Sequence, residues 1–147
     1  EYATIRDIKR AISIPVFANG DIDSAQKARA VLDFTRADGV MLGRAAHGSP
    51  WIFRDVNEFL SSGKFPAALA RADVRDIIRS HLTDLYHFYG EGDGVRFARK
   101  HLGWYFAELL GTQDDRRGLM SQETSARQFA YASAWLDRWV DGTANAA

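Results

Sequence analysis

Hydrophobic positions along this 147-residue chain follow two regimes. Up to about residue 62, short apolar runs alternate with helical periodicity. Ile5, Ile8 and Ile12 recur at helix spacing, and the stretch stops before Ser13-Ile14-Pro15, since proline disfavours helix at the preceding residue. Ile14-Pro15-Val16-Phe17-Ala18 then predicts a short strand of the kind buried on both faces. Asp23 or Ser24 can cap the next helix, whose inner face is Ala28, Val31 and Leu32. Gly39-Val40-Met41-Leu42 predicts a second strand. After Gly43-Arg44-Ala45-Ala46, Ser49 and Pro50 predict a capped helix start, followed by Trp51, Ile52, Val56, Phe59 and Leu60. Helix, strand, helix, strand, helix is the pattern of parallel β/α units.

Beyond Ser61-Ser62-Gly63-Lys64-Phe65-Pro66, which reads as a linker, only helical periodicity remains. Val74, Ile77, Ile78, Leu82, Leu85 and Tyr89 mark one long helix, ended by a tight loop at Gly90-Glu91-Gly92-Asp93-Gly94. Val95, Ala98, Leu102, Tyr105, Phe106 and Leu109 mark a second, and Phe129, Ala132, Leu136 and Trp139 a third. Asp114-Asp115-Arg116-Arg117 reads as a solvated loop, and the Ala-rich tail is expected to fray. The expected fold class is therefore α/β followed by all-α: residues 1–62 with two parallel strands, then a small helical bundle over residues 70–141. Two parallel strands leave open edges and enclose no core, so self-association through those edges is expected. A first residue other than Met, inside an amphipathic pattern, points to a piece of a longer protein.

Nineteen basic and nineteen acidic residues cancel, so contact with a polyanion requires a local basic patch. The absence of cysteine removes disulfides, thiolate metal sites and cysteine nucleophiles. No apolar run approaches the ~18 residues of a membrane helix, and the first residues have no signal-peptide pattern, so a cytoplasmic protein without membrane contact is expected.

The candidate chemistry lies at two glycine junctions and one basic helix. Asn19-Gly20-Asp21 and Gly43-Arg44 follow the two predicted strands, and parallel pairing would bring these loops side by side. Either glycine alone makes an ordinary turn. Together, with an arginine in the second loop and a helix start behind each, they match what a phosphate requires. Asp21 would cap amides or bond a ligand hydroxyl. In "GVRFARKHLGWYF", Arg96, Arg99 and Lys100 share one face, with His101 at its border. An arbitrary helix would carry such a face as solvated surface. Arg75, Arg79, Arg116 and Arg117 would extend it if their elements pack alongside, giving a patch suited to RNA. His47, His81 and His87 have no second ligand at metal spacing and read as surface or satisfied core, so no metal is expected. Trp104, Trp135, Trp139, Tyr86, Tyr89 and Tyr131 read mostly as core.

"IPVFANGDIDS", "ADGVMLGRAAHGSPWIF" and above all "GVRFARKHLGWY" resemble the carboxy-terminal portion of tRNA-dihydrouridine synthases of bacterial type, over nearly the whole chain. The first two stretches are shared in outline with many flavin- and phosphate-binding barrels; the third is more specific. The resemblance implies a parent enzyme with an FMN-binding (β/α)₈ TIM barrel and a helical tRNA-binding domain, which reduces particular uridines with NADPH. It implies that residues 1–62 are the last two β/α units of that barrel. It also implies cofactor-binding roles for Asn19, Gly20, Asp21, Gly43 and Arg44 at the flavin phosphate, and tRNA contact by Arg96, Arg99, Lys100 and His101. The family's proton-donating cysteine has no counterpart here, so no catalytic residue is assigned and the chain alone is expected to be inactive, binding flavin weakly at most. The competing readings are a stand-alone RNA-binding module and a phosphate-metabolite-binding barrel fragment.

Overall fold

The structure, a computed structural model, describes residues 2–143. The Ala-rich tail, residues 144–147, lies outside the described residues. The chain divides after Ala67 into two compact units, an α/β unit and an all-α unit.

In the first unit, α1 (Tyr2–Ala11), β1 (Phe17–Ala18), α2 (Ala25–Thr35), β2 (Gly39–Val40), a 3₁₀ turn (Arg44–Ala46) and α3 (Ile52–Ser62) follow in order. β1 and β2 pair in parallel with Phe17 opposite Gly39 and Ala18 opposite Val40. Ala18, Ile22, Ala25, Ala28, Val31 and Val56 form the buried core, with Tyr2, Ile5, Val40 and Phe59 packed around it. The Asp38 carboxylate fastens the strand pair to α1, accepting hydrogen bonds at 2.7 Å from both Lys9 Nζ and the Val16 N–H. These bonds hold its pKa below the usual carboxylate value.

The strands are shorter than the apolar runs, and only one face is covered. Pro15 has no N–H to donate, and Ile14, Phe17 and Met41 are 65%, 65% and 52% exposed instead of buried. Ser24 caps α2 by accepting from the Lys27 N–H, as its position predicts. Ser49 does not cap α3. Its carbonyl accepts from the Ile52 N–H in a turn through Pro50 and Trp51, so the helix begins two residues later than expected.

The second unit comprises α4 (Arg71–Glu108), α5 (Gln113–Met120) and α6 (Ser125–Val140). Glu91-Gly92-Asp93-Gly94 is helical, contrary to the expected loop; only Gly90 leaves helical geometry, at φ 74° and ψ −176°. That conformation is essentially restricted to glycine. There the helix folds back on itself, with Gly94 against Leu85 and Tyr86 and with His81 beside His101 and Tyr105. α5 replaces the expected solvated loop. Thr112 starts it with a capping box: its hydroxyl accepts from the Asp115 N–H, and the Asp115 carboxylate accepts from the Thr112 N–H, both at 3.2 Å. Leu119 anchors it in the core.

α6 closes the bundle. Trp135 and Leu136 are buried, and the Trp135 ring stacks on Phe106 at 4.2 Å. Buried Gln128 ties α6 to both arms of α4: its amide donates to the Val95 carbonyl at 3.4 Å and its Oε1 accepts from the Tyr86 hydroxyl at 2.8 Å. Burial pushes the Tyr86 phenol pKa up, so that donor stays protonated.

Gly90→Ala should destabilise the chain by about 1–3 kcal/mol in urea unfolding, because alanine cannot adopt this backbone without strain. Gly94→Ala should also destabilise, because its Cβ would stand 3.1 Å from the Tyr86 Cα, a backbone atom that cannot yield locally. Exposed Gly92, where an added Cβ meets nothing, should tolerate the same change.

Candidate functional site

In the first unit, parallel pairing in register puts the carboxyl ends of β1 and β2 together. The loops that leave them share an open cleft of about 720 Å³ lined by Asn19, Gly20, Asp21, Asp23, Met41, Gly43 and Arg44, among others. Gly20 has φ 140° and Asp21 φ 46°, two successive residues in the region that favours glycine. The Tyr2 hydroxyl donates to the Gly20 carbonyl, tying the first loop to α1. Arg44 donates to the Asp21 carboxylate and joins the loops across the cleft. Both side chains are largely exposed, so the pair adds only about 0–1 kcal/mol and can be exchanged for a stronger anion.

The expected helix starts are only partly present. Ser24 already occupies an amide at the start of α2, and Gly43-Arg44 opens a three-residue 3₁₀ turn. The positive charge of the cleft therefore comes from the Arg44 guanidinium rather than from helix amides. A Cβ on Gly43 would meet nothing within 4 Å, so this loop has open space beside its backbone.

In the second unit, a second concavity of about 550 Å³ lies between α4 and α5. Arg96, Arg99, Lys100, Gly103, Trp104 and Ala107 line it from α4, and Arg116 and Met120 line it from α5. Arg99 is half-buried and held in place, donating from Nη2 to the Gln122 carbonyl at 2.9 Å. Lys100 is exposed, with Nζ 5.1 Å from the Trp104 ring centroid. Arg96 pairs with Asp93 at 3.1 Å. No carboxylate lines this cleft among the described residues, so its field is cationic.

His101 lies one residue round the helix from Lys100 and turns inward. Its ring meets His81 at 4.7 Å and Trp104 at 5.2 Å, so it borders the cleft without lining it. Arg75 and Arg79 do not extend the patch. Both donate to Asp137 of α6, at 3.3 and 2.7 Å, and Arg79 also bonds Ser133. Arg116 does extend it, whereas Arg117 pairs with Asp114 at 3.1 Å. Trp104, read from its spacing as core, is a half-buried wall of the cleft. Its place depends on α5, whose Thr-x-x-Asp capping signature at 112–115 is the signal that would have located that helix.

Behind the cleft, His81 Nδ1 and the Tyr105 hydroxyl share a 2.8 Å hydrogen bond. Burial pushes the Tyr105 phenol up to about 12 and the His81 imidazole below its ordinary 6.5, against a smaller opposing effect of Asp84. A base whose pKa is depressed by folding binds fewer protons folded than unfolded. The stability it contributes is thus complete above about pH 6.5 and lost as pH falls through the folded value. Thermal melting should show the unfolding midpoint declining below pH 6.5, with a shallower decline in His81→Gln.

Residues 1–138 match the family described as Dihydrouridine synthase (Dus). The chain is 48% identical to tRNA-dihydrouridine synthase B of Pseudomonas syringae pv. tomato, over 99% of this chain and 43% of that protein. It is 47% identical to the protein of that name from Pseudomonas aeruginosa, over 100% of this chain and 45% of the relative, and 46% identical to the one from Shewanella oneidensis, over 95% and 43%. The chain thus spans less than half the length of these curated relatives. With a match over nearly its whole length and relatives at this level of identity, the chain belongs to the dihydrouridine synthase family.

Proposed function

We propose that this chain is the carboxy-terminal part of an FMN-dependent tRNA-dihydrouridine synthase, which reduces uridines in tRNA with NADPH, and that its helical unit binds the tRNA. The observation that carries the proposal is the cleft between α4 and α5, where Arg96, Arg99, Lys100 and Arg116 converge beside an indole and, among the described residues, only Arg96 has a carboxylate partner, Asp93. Cations and an aromatic wall on one concave surface suit an RNA backbone and its exposed bases. The names of the relatives point to the same substrate class.

The loops of the first unit fit the phosphate end of a flavin nucleotide. Arg44 supplies the cation, Gly43 lets the backbone approach, and Asn19, Gly20 and Asp21 form the facing wall. Asp21 accepts a hydrogen bond from Arg44 across the cleft; a bound phosphate would compete for that guanidinium, leaving the Asp21 carboxylate to accept from a ligand hydroxyl. We assign residues 1–62 to the last two β/α units of a flavin-binding TIM barrel on the strength of the parallel strand pair and the family. A reduced flavin, when bound, supplies hydride to the uracil C5–C6 bond. General acid catalysis by cysteine is beyond this chain, which contains none.

Filter binding of an unmodified tRNA transcript over a salt series tests the RNA reading. Affinity should fall steeply with salt, and Lys100→Ala should weaken binding and reduce the log–log slope by about one. Salt-independent binding, or none, would remove this reading and leave the phosphate-metabolite alternative. A second measurement tests the catalytic side: the purified chain with tRNA, FMN and NADPH should form no dihydrouridine above background, and detectable product would overturn the assignment of the chain as inactive alone.

A further inference from the structure

We infer that the cleft walled by Trp104 seats a single unstacked nucleotide of the RNA, with its base against the indole and its phosphate between Arg99 and Arg116; the inference rests on the RNA-binding reading above. A surface that only tracks a phosphate backbone needs a spread of mobile cations. This cleft is built differently. It is concave, and its volume of about 550 Å³ falls within the range of small-ligand sites.

Its walls differ in chemistry. Arg99 does not swing freely, because the Gln122 carbonyl fixes one end of its guanidinium. Arg116 faces the cleft from the other helix, with no carboxylate within ion-pair distance among the described residues. Trp104 adds an indole to the same lining, and the ammonium of Lys100 lies 5.1 Å from its ring centroid. Gly103 leaves the floor without a side chain; a Cβ there would meet only the Met120 Cε, at 3.5 Å. An aromatic platform beside fixed guanidinium groups is how proteins hold bases that have left the stack, and a base inside a duplex cannot enter such a cleft.

The test compares two RNA probes at fixed salt: a tRNA transcript, whose loops carry unstacked bases, and a perfectly paired RNA duplex of similar length. Trp104→Ala should lower tRNA affinity about tenfold, with the salt slope unchanged and duplex affinity unaltered. Trp104→Phe should retain most of the affinity, since phenylalanine still stacks. Thermal melting of each variant checks that the bundle persists. Equal losses on tRNA and duplex, or failure of Trp104→Phe to rescue, would assign Trp104 to packing and overturn the inference. Full tRNA affinity in Trp104→Ala, while Lys100→Ala still weakens it, would overturn the inference and leave the RNA reading intact. If wild-type binding is absent or salt-independent, the RNA reading fails and the inference fails with it.

Discussion

The helical unit depends on the reversal of α4 at one residue. A 38-residue helix, Arg71–Glu108, would span roughly 57 Å if straight and could not form a core with itself. Gly90 breaks it with a backbone conformation closed to other residues, and the second arm returns along the first. Gly94, one turn later, has no side chain to hold the arms apart where Leu85 and Tyr86 pass. The fold-back brings Ile78, Leu82, Leu102 and Phe106 into one apolar layer, on which Trp135 and Leu136 close. Gln128 then bonds both arms from α6, so a buried polar side chain, bonded at both its oxygen and its nitrogen, holds the geometry set by the glycines.

That packing decides which cations face solvent. Arg75 and Arg79 project from the first arm into the acceptors of α6 and are consumed there by Asp137 and Ser133. Arg71 rests over the Trp139 ring at 5.1 Å, and Arg138 lies 3.8 Å from Asp115. On the other side, Arg116 and Met120 of α5 line the cleft with Arg99, Lys100 and Trp104 of the second arm, and none of these three cations is in an ion pair among the described residues. Cation placement, rather than cation number, makes this surface basic in a chain with no net charge.

The α/β unit obeys a different constraint. Parallel pairing of only two residues per strand is enough to align the loops after β1 and β2, and the Asp21–Arg44 pair joins them. The same pair lowers the positive potential that Arg44 offers to an anion. Its high exposure keeps that effect small.

Local pattern alone determined the order of helices and strands in the α/β unit, the division into α/β and all-α parts, and five of the residues that line the loop cleft. Each follows from short-range rules: apolar period, proline and glycine at turns, and the adjacency of parallel strand ends. Ser24 as a cap and most of the inner faces of α2, α4 and α6 were equally legible, but Tyr89, read as part of the α4 face, is 45% exposed where the chain turns at Gly90. The extent of the strands was not, because burial on a second face depends on neighbours that an apolar run cannot specify; Phe17 and Met41 are exposed. The reversal at Gly90 looked like a five-residue loop, since three glycines in a row of five read as flexible until tertiary packing makes four of those residues helical. α5 was hidden by its charged, weakly apolar composition, and with it the separation of Arg116 from Arg117 and the exposure of Trp104 in a cleft. Those features belong to contacts between helices far apart in the chain, and only the folded bundle decides which side chains such contacts bury, pair or leave to a ligand.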